Sequence, residues 1–277
     1  MKTEKKKVIK DTKRLFVKKG PCSSAFFHIL NRQFGNALET EERAAEPLAG
    51  GIMQHGHQCG MLWGASLAVG AESFRRNSDH AKAIGVAITA TQHLVDSFST
   101  RAKTLDCSDI TDTDWSSKFG MVKYFFTGKI VSCFKLAERW APEAIESATQ
   151  GLSSGQTNLP ELPVSCASEV AKKMGATDEE MVIVAGFSGG LGLSGKACGA
   201  LSAAIWMQTL GLYKKQTGKS YYSNAESQNT LKAFFAETDH EFLCENISGQ
   251  CFKSVDDHSE FIKKGGCQKL IDILAEA

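Results

Sequence analysis

The sequence predicts an all-α protein made of two homologous helical-bundle domains related by a pseudo-twofold. Three observations predict it. Apolar residues recur at helical spacing along most of the 277-residue chain, no segment alternates convincingly as a strand, and one stretch is written twice. Residues 48–65, LAGGIMQHGHQCGMLWGA, lie over residues 187–204, FSGGLGLSGKACGALSAA, at a constant offset of 139 with seven identities in 18 positions. Average composition would give roughly one or two.

The first copy opens with VIKDTKRLFVKK, CSSAFFHILNRQF and ETEERAAEPLA, each with helical spacing of apolar residues. In the third of these Thr40 precedes two acids, as a cap before a first helical turn would. CGMLWGASLAVGAESFRR and AKAIGVAITATQHLVDSFSTRAK are longer helices of the same kind. The second copy repeats the scheme with SCASEVAKKMG, TDEEMVIVAGF, CGALSAAIWMQTLGLYKK and SNAESQNTLKAFFAETDHEF. Thr177 caps the second of these ahead of Asp178, Glu179 and Glu180. VIVAG at 182–186 is the best strand candidate, yet it continues that acid-capped helix. The join is ATQGLSSGQTNLPELPVS, residues 148–165, whose Gly, Ser and Pro content reads as a linker. The first domain is therefore 1–150 and the second 151–277. Gly60, Gly64 and Ala68 recur every four residues, as do Gly199 and Ala203. Such a strip lets helices approach closely, so the two motif helices are expected to pack near each other, as in a homodimer.

The composition, 42% hydrophobic and 23% charged, can support a core. A net charge of +1 argues against nucleic acid or an anionic membrane surface as partner. The basic runs Lys5-Lys6-Lys7 and Lys18-Lys19 read as the solvated face of a helix. There is no secretory apolar region and no uninterrupted apolar run of membrane length, so a cytoplasmic protein is expected. Static disulfides are then unlikely, and nine cysteines call for metal binding, redox chemistry or plain burial.

Eight of the nine fall into register. Cys22, Cys59, Cys107 and Cys133 are spaced by 37, 48 and 26 residues, and Cys166, Cys198, Cys244 and Cys267 by 32, 46 and 23. Cys251 is left over. Cys59 and Cys198 each follow glycines and begin an apolar helix, whose N–H groups and partial positive charge favour thiolate. Gly51, Gly56 and Gly60, with Gly190, Gly195 and Gly199, let the backbone approach a bound group. Four cysteines near element ends can converge on a tetrathiolate site for zinc or an iron–sulfur centre. Spacings of 23–48 residues exclude a local finger, and no Cys-x-x-Cys occurs. Pattern alone leaves metal, dithiol and core open. His55 and His57 make His-x-His-x-Cys with Cys59, but Ser194 and Lys196 replace them in the other copy, so they read as polar loop residues. His28, His80, His93, His240 and His258 read as surface or capping residues, and Trp63 and Trp206 as core.

The early cysteine, Gly-Gly loop, Cys-Gly helix start and two later cysteines resemble the redox-active C-GCAxxG-C-C proteins, as two tandem copies over nearly the whole chain. The second copy matches best, through Cys166, GFSGGLGLSGKACGAL, Cys244 and GGCQKLIDIL. Met61 stands where the motif has alanine and Ala203 where it has the last glycine. The resemblance implies an all-helical fold with four characteristic cysteines per unit and a role beside oxidoreductases. The expected function is cysteine-based redox chemistry: electron transfer through an iron–sulfur centre to a partner oxidoreductase or electron carrier. The alternatives are a redox-silent zinc module and a metal-free thiol–disulfide enzyme. The chain is expected to be a pseudo-dimer, with assembly into a homo-oligomer as a further option.

Overall fold

The computed structural model describes residues 12–115, 117–154, 163–216 and 218–277. Lys5, Lys6 and Lys7, and most of the expected linker, lie outside them. In the first copy the helices are α1 (12–19), α2 (Cys22–Phe34), α3 (Glu39–Ala44), α4 (Gly60–Arg76), α5 (His80–Ala102), α6 (Cys107–Thr111), α7 (Lys118–Phe126) and α8 (Lys129–Ser154). In the second they are α9 (Cys166–Lys173), α10 (Asp178–Ala185), α11 (Gly199–Lys215), α12 (Ala225–Thr238), α13 (Cys244–Ser248), α14 (Val255–Lys263) and α15 (Gln268–Glu276). The fold is all-α. Among the described residues β-type pairing is limited to two isolated bridges, Gln58 with Asp106 and Ala197 with Leu243. No helix among them is long and apolar enough to cross a membrane.

The expected cap at Thr177 is a full capping box: its hydroxyl accepts from the Glu180 N–H, and Glu180 accepts from the Thr177 N–H. Thr40 is not a cap, because α3 already starts at Glu39. Helix α8 runs through 148–154, where Ala148, Gly151 and Leu152 are buried, so the join begins later than its composition suggested. Gly151 explains the extension: a Cβ there would lie 2.6 Å from the Ala90 Cα, so its bare backbone seats α8 on α5.

The repeat is visible in the packing. Helix α4 lies between α2 of its own copy and α10 of the other, and α11 lies between α9 and α3. The motif helices therefore pack along the opposite copy's preceding helix rather than along each other. The small-residue strip serves a different neighbour than expected. A Cβ on Gly64 would overlap the Ser23 carbonyl oxygen on α2, and one on Gly199 would overlap the Phe187 carbonyl oxygen. Gly70, farther along α4, meets the carbonyl oxygens of Val182 and Ile183 on α10 in the same way. One continuous core joins the copies, with Trp63 set edge-on to Phe187 at 4.8 Å.

Candidate functional site

Seven of the eight registered cysteines stand at helix starts. Cys22, Cys107, Cys166 and Cys244 are the first residues of α2, α6, α9 and α13, and Cys59, Cys198 and Cys267 precede α4, α11 and α15. Cys133 lies within the second turn of α8. The long spacings close through the two bridges. The Cys59 N–H donates to the Leu105 carbonyl at 2.8 Å and the Cys107 N–H to His57 at 2.7 Å. In the other copy the Cys198 N–H reaches the Phe242 carbonyl at 2.9 Å and the Cys244 N–H reaches Lys196 at 2.6 Å. Each bridge fixes the second cysteine of a set beside the third.

The Gly-Gly loop does something the sequence did not announce. Five consecutive residues, Gly50–Gln54, have φ between 49° and 74°, and Gly189–Leu193 have φ between 60° and 79°. Each run is a short left-handed turn. Ile52, Met53 and Gln54 adopt it in one copy, and Leu191 and Leu193 in the other. Left-handed backbone costs an L-residue roughly 1–2 kcal/mol, so these turns store strain at the site. The turn aims the Gly50 N–H at the Cys22 sulfur and the Gly189 N–H at Cys166. The glycines thus bring N–H groups to the first cysteine of each set, not to Cys59 or Cys198. Gly51 and Gly190 have a different task. A Cβ on either would run into the backbone of residue 57 or 196, so both let the loop fold onto the bridge. Gly56 and Gly195 abut Ser108 and Glu245 in the same layer, whereas Gly60 sits beside the Cys22 sulfur.

Cys22, Cys59, Cys107 and Cys133 all face one cavity of about 420 Å³. Its wall is aromatic and aliphatic, including Phe16, Trp115, Tyr124, Phe134 and Tyr222, and among the described residues no Asp, Glu, Lys, Arg or His borders it. Cys166, Cys198, Cys244 and Cys267 likewise share one cavity, but of only about 20 Å³. The structure therefore brings each predicted set of four together. Among the described residues, no three Cys, His, Asp or Glu side chains are closed up tightly enough to hold a metal ion as they stand.

Three sulfurs of the first set have a donor. Gly50 N–H points at Cys22 and Met61 N–H at Cys59, whereas the Thr111 hydroxyl beside Cys107 donates to that residue's carbonyl at 2.6 Å. The Tyr124 hydroxyl donates to the Cys133 Sγ at 3.4 Å. In the second set Ser248 takes the place of Thr111 and likewise donates to a cysteine carbonyl, that of Cys244 at 2.7 Å, while N–H groups of Ala200 and Leu201 serve the Cys198 sulfur. Helix starts do not produce thiolates here. Burial, reinforced by the neighbouring sulfurs, pushes Cys22 up to about 11 and Cys198 up to about 12, and holds Cys59 and Cys107 well above the ordinary thiol range. Desolvation outweighs the helix-end N–H groups because the sulfurs sit inside the core.

All nine cysteines are free thiols, and Cys251 alone is exposed. In native protein at pH 8, Cys251 should be alkylated first by iodoacetamide, even though Glu245 accepts from its thiol at 3.1 Å. Mapping the modified residue by mass spectrometry checks this, and Cys251→Ser should remove the fast phase. Cys198, raised to about 12 by burial, should gain reactivity only as the pH climbs toward that value.

Several histidines are placed differently than expected. His57 stacks on Phe242 at 3.9 Å and His55 at 5.7 Å, so both fill an aromatic seam between the copies, away from the cysteine cavity. Burial lowers His57 to about 4, which keeps it neutral. His258 is buried and borders the second cavity, and His28 bonds Glu42 at 2.8 Å. Trp63 and Trp206 are core residues, each with its indole N–H satisfied by a backbone carbonyl.

One tyrosine was missed. The α4–α5 connection, 77–79, has three residues, but the α11–α12 connection, 216–224, has nine. The extra length reaches back onto the first copy. There Glu46 accepts from Ser220 at 2.8 Å and from the Tyr221 N–H at 3.1 Å, and Arg43 donates to the Lys219 carbonyl at 2.7 Å. This anchorage sets Tyr222 into the first cavity, beside Gln54. The unequal loop lengths and the Tyr221-Tyr222 pair were the available signals.

The fold and site define a duplicated all-helical protein with four cysteines gathered at a cavity in each half. The family described as "Putative redox-active protein (C_GCAxxG_C_C)" matches residues 21–146 and again residues 164–277, and the chain belongs to that family as two tandem copies. No curated protein and no solved structure matches it.

Proposed function

We propose that this is an electron-transfer protein whose cysteines hold an iron–sulfur centre. The observation that carries the reading is the first cavity: four cysteines on one space, three of their sulfurs each with a hydrogen-bond donor. Four thiolates on a single zinc ion would stand about 3.8 Å apart, given bonds of about 2.3 Å in a tetrahedron. Sulfurs that border a cavity of about 420 Å³, with no three ligands among the described residues closed to ion-binding distance, suit a polynuclear group better than one ion.

Cys22, Cys59, Cys107 and Cys133 would be the ligands, each giving up its proton on binding. The bound centre would supply one-electron chemistry. The chain's own contribution is electrostatic. With no charged side chain on the wall among the described residues, the Gly50 and Met61 N–H groups and the Tyr124 hydroxyl offset the negative charge on sulfur and raise the potential. The largely apolar wall lowers the local dielectric and keeps those donors effective. A cytoplasmic setting and a partner oxidoreductase or electron carrier accompany this reading.

Anaerobic incubation of the full chain with ferrous iron and sulfide should give a coloured protein whose visible absorbance bleaches on reduction with dithionite. Uptake of zinc alone, with no visible chromophore after the iron and sulfide treatment, defeats the proposal.

A further inference from the structure

The two copies carry the same four cysteines, yet their cavities differ about twentyfold in volume, 420 against 20 Å³. Anchored on Cys107 and Cys244, the surrounding segments correspond at a constant offset of 137. Ile110 matches Ile247, Trp115 matches Phe252, and Tyr124 matches Phe261. The aromatic pair is even kept in place, at 5.0 Å between Trp115 and Tyr124 and 5.2 Å between Phe252 and Phe261. By the same offset α7 corresponds to α14, residue for residue.

The difference lies in how these two helices are held. In the second copy α14 buries Val255, His258, Ser259 and Ile262. Ser259 accepts from the Val164 N–H at 3.0 Å, and the His258 Nδ1 bonds the Val164 carbonyl at 3.3 Å. Val164 stands two residues before Cys166, so these bonds pin the helix onto the start of the cysteine set. His258 and Ile262 then occupy the cavity wall. In the first copy the sequence has Met121 and Val122 at these positions, residue types whose side chains offer no N–H or O–H for such a pin. Helix α7 leaves Phe119, Val122 and Phe126 exposed. The space it leaves is finished by Tyr222, brought across by the longer α11–α12 connection of the second copy.

What remains in the second copy is room for about one water molecule, which needs roughly 10–15 Å³ by this measure. We propose that the copies have diverged into one open centre and one sealed thiol core. The first copy, completed by Tyr222, is the half of the chain that takes a ligand at its cysteines, and the second takes none. This inference rests on the iron–sulfur reading for the identity of the ligand, but not for the asymmetry. It runs against the motif, since the second copy matches the family pattern better.

Two measurements on the full chain test it. Iron and visible absorbance per chain are compared after anaerobic reconstitution of wild type, Cys59→Ser and Cys198→Ser, with circular dichroism melting to verify folding. Cys198→Ser should keep the wild-type iron content, and Cys59→Ser should lose at least nine-tenths of it. Equal halving by both changes, or loss on Cys198→Ser alone in a folded protein, overturns the proposal. The second measurement needs no iron and no variant. Phenylarsine oxide condenses with two neighbouring thiols, forming two As–S bonds and releasing water with no change of oxidation state. On the metal-free wild type it should bridge cysteines among Cys22, Cys59, Cys107 and Cys133 only, as mapped by mass spectrometry. Capture by the second set, or by neither, overturns the proposal. Capture by the first set in a chain that takes up no iron supports the asymmetry and removes the iron–sulfur reading.

Discussion

Gly64→Ala should lower the stability of the protein by about 3 kcal/mol or more, and its Tm by roughly 6–12 °C. The reason is geometric. The new Cβ would occupy the space of the Ser23 carbonyl oxygen, and the Phe27 nitrogen lies only 2.9 Å from it. Both are backbone atoms of α2, so no rotamer change relieves the clash and the two helices must part. Cys22 is the first residue of α2 and Cys59 precedes α4, so the parting also widens the cysteine set. Gly199→Ala should act alike, because its Cβ would meet the Phe187 backbone. Gly211→Ala is the control. It lies on α11 with no atom within 4 Å of the added methyl, and should stabilise by roughly 0.5–1 kcal/mol. Thermal melting of the three variants checks the ordering. A Gly64→Ala protein that melts with wild type would remove the close α2–α4 contact.

The second large effect is expected at Gln58. Its fully buried amide reaches into the other copy, donating to the Gly190 carbonyl at 2.9 Å and accepting from the Ala197 N–H at 3.1 Å. Gln58→Ala removes the hydrogen-bond partner that the structure gives the Ala197 N–H and leaves a void of several atoms. The combined cost should be about 2–4 kcal/mol, or roughly 5–15 °C in Tm. The loss should extend to the second copy, since Ala197 precedes Cys198 and pairs with Leu243. Hydrogen exchange that quickens in residues 187–198 as much as in 48–59 would be the signature. Quickening confined to the first copy would show that the amide does not tie the halves together.

Much of this was legible. The offset of 139 and the parallel cysteine spacings carried the duplication and the membership of each set, because homologous segments fold alike. The helices were legible from apolar periodicity, and Thr177 from its capping chemistry. What was not legible depended on tertiary contact. Nothing in Ile52 announces a φ of 63°, since a β-branched residue is the last one expected there. The glycine strip declared a close helix contact but not which helix would fill it. The thiol acidity inferred from helix starts failed because burial, a property of the folded core, exceeds the local effect of a helix end. Cavity size turned on whether α7 or α14 is pinned, which rests on Ser259 and His258 reaching Val164 across more than 90 residues of chain.

The reciprocal bracing of α4 by α10 and of α11 by α3 has a consequence for descent. A chain with one such unit would have its motif helix bare on one side until a second chain covered it. In that pair every substitution appears twice, so a roof gained over one centre is imposed on the other. Joining the two units in a single polypeptide ends that obligation. One half can then lengthen a loop and lend a tyrosine to its sibling, while the sibling's scaffold stays whole because the lender still props it up.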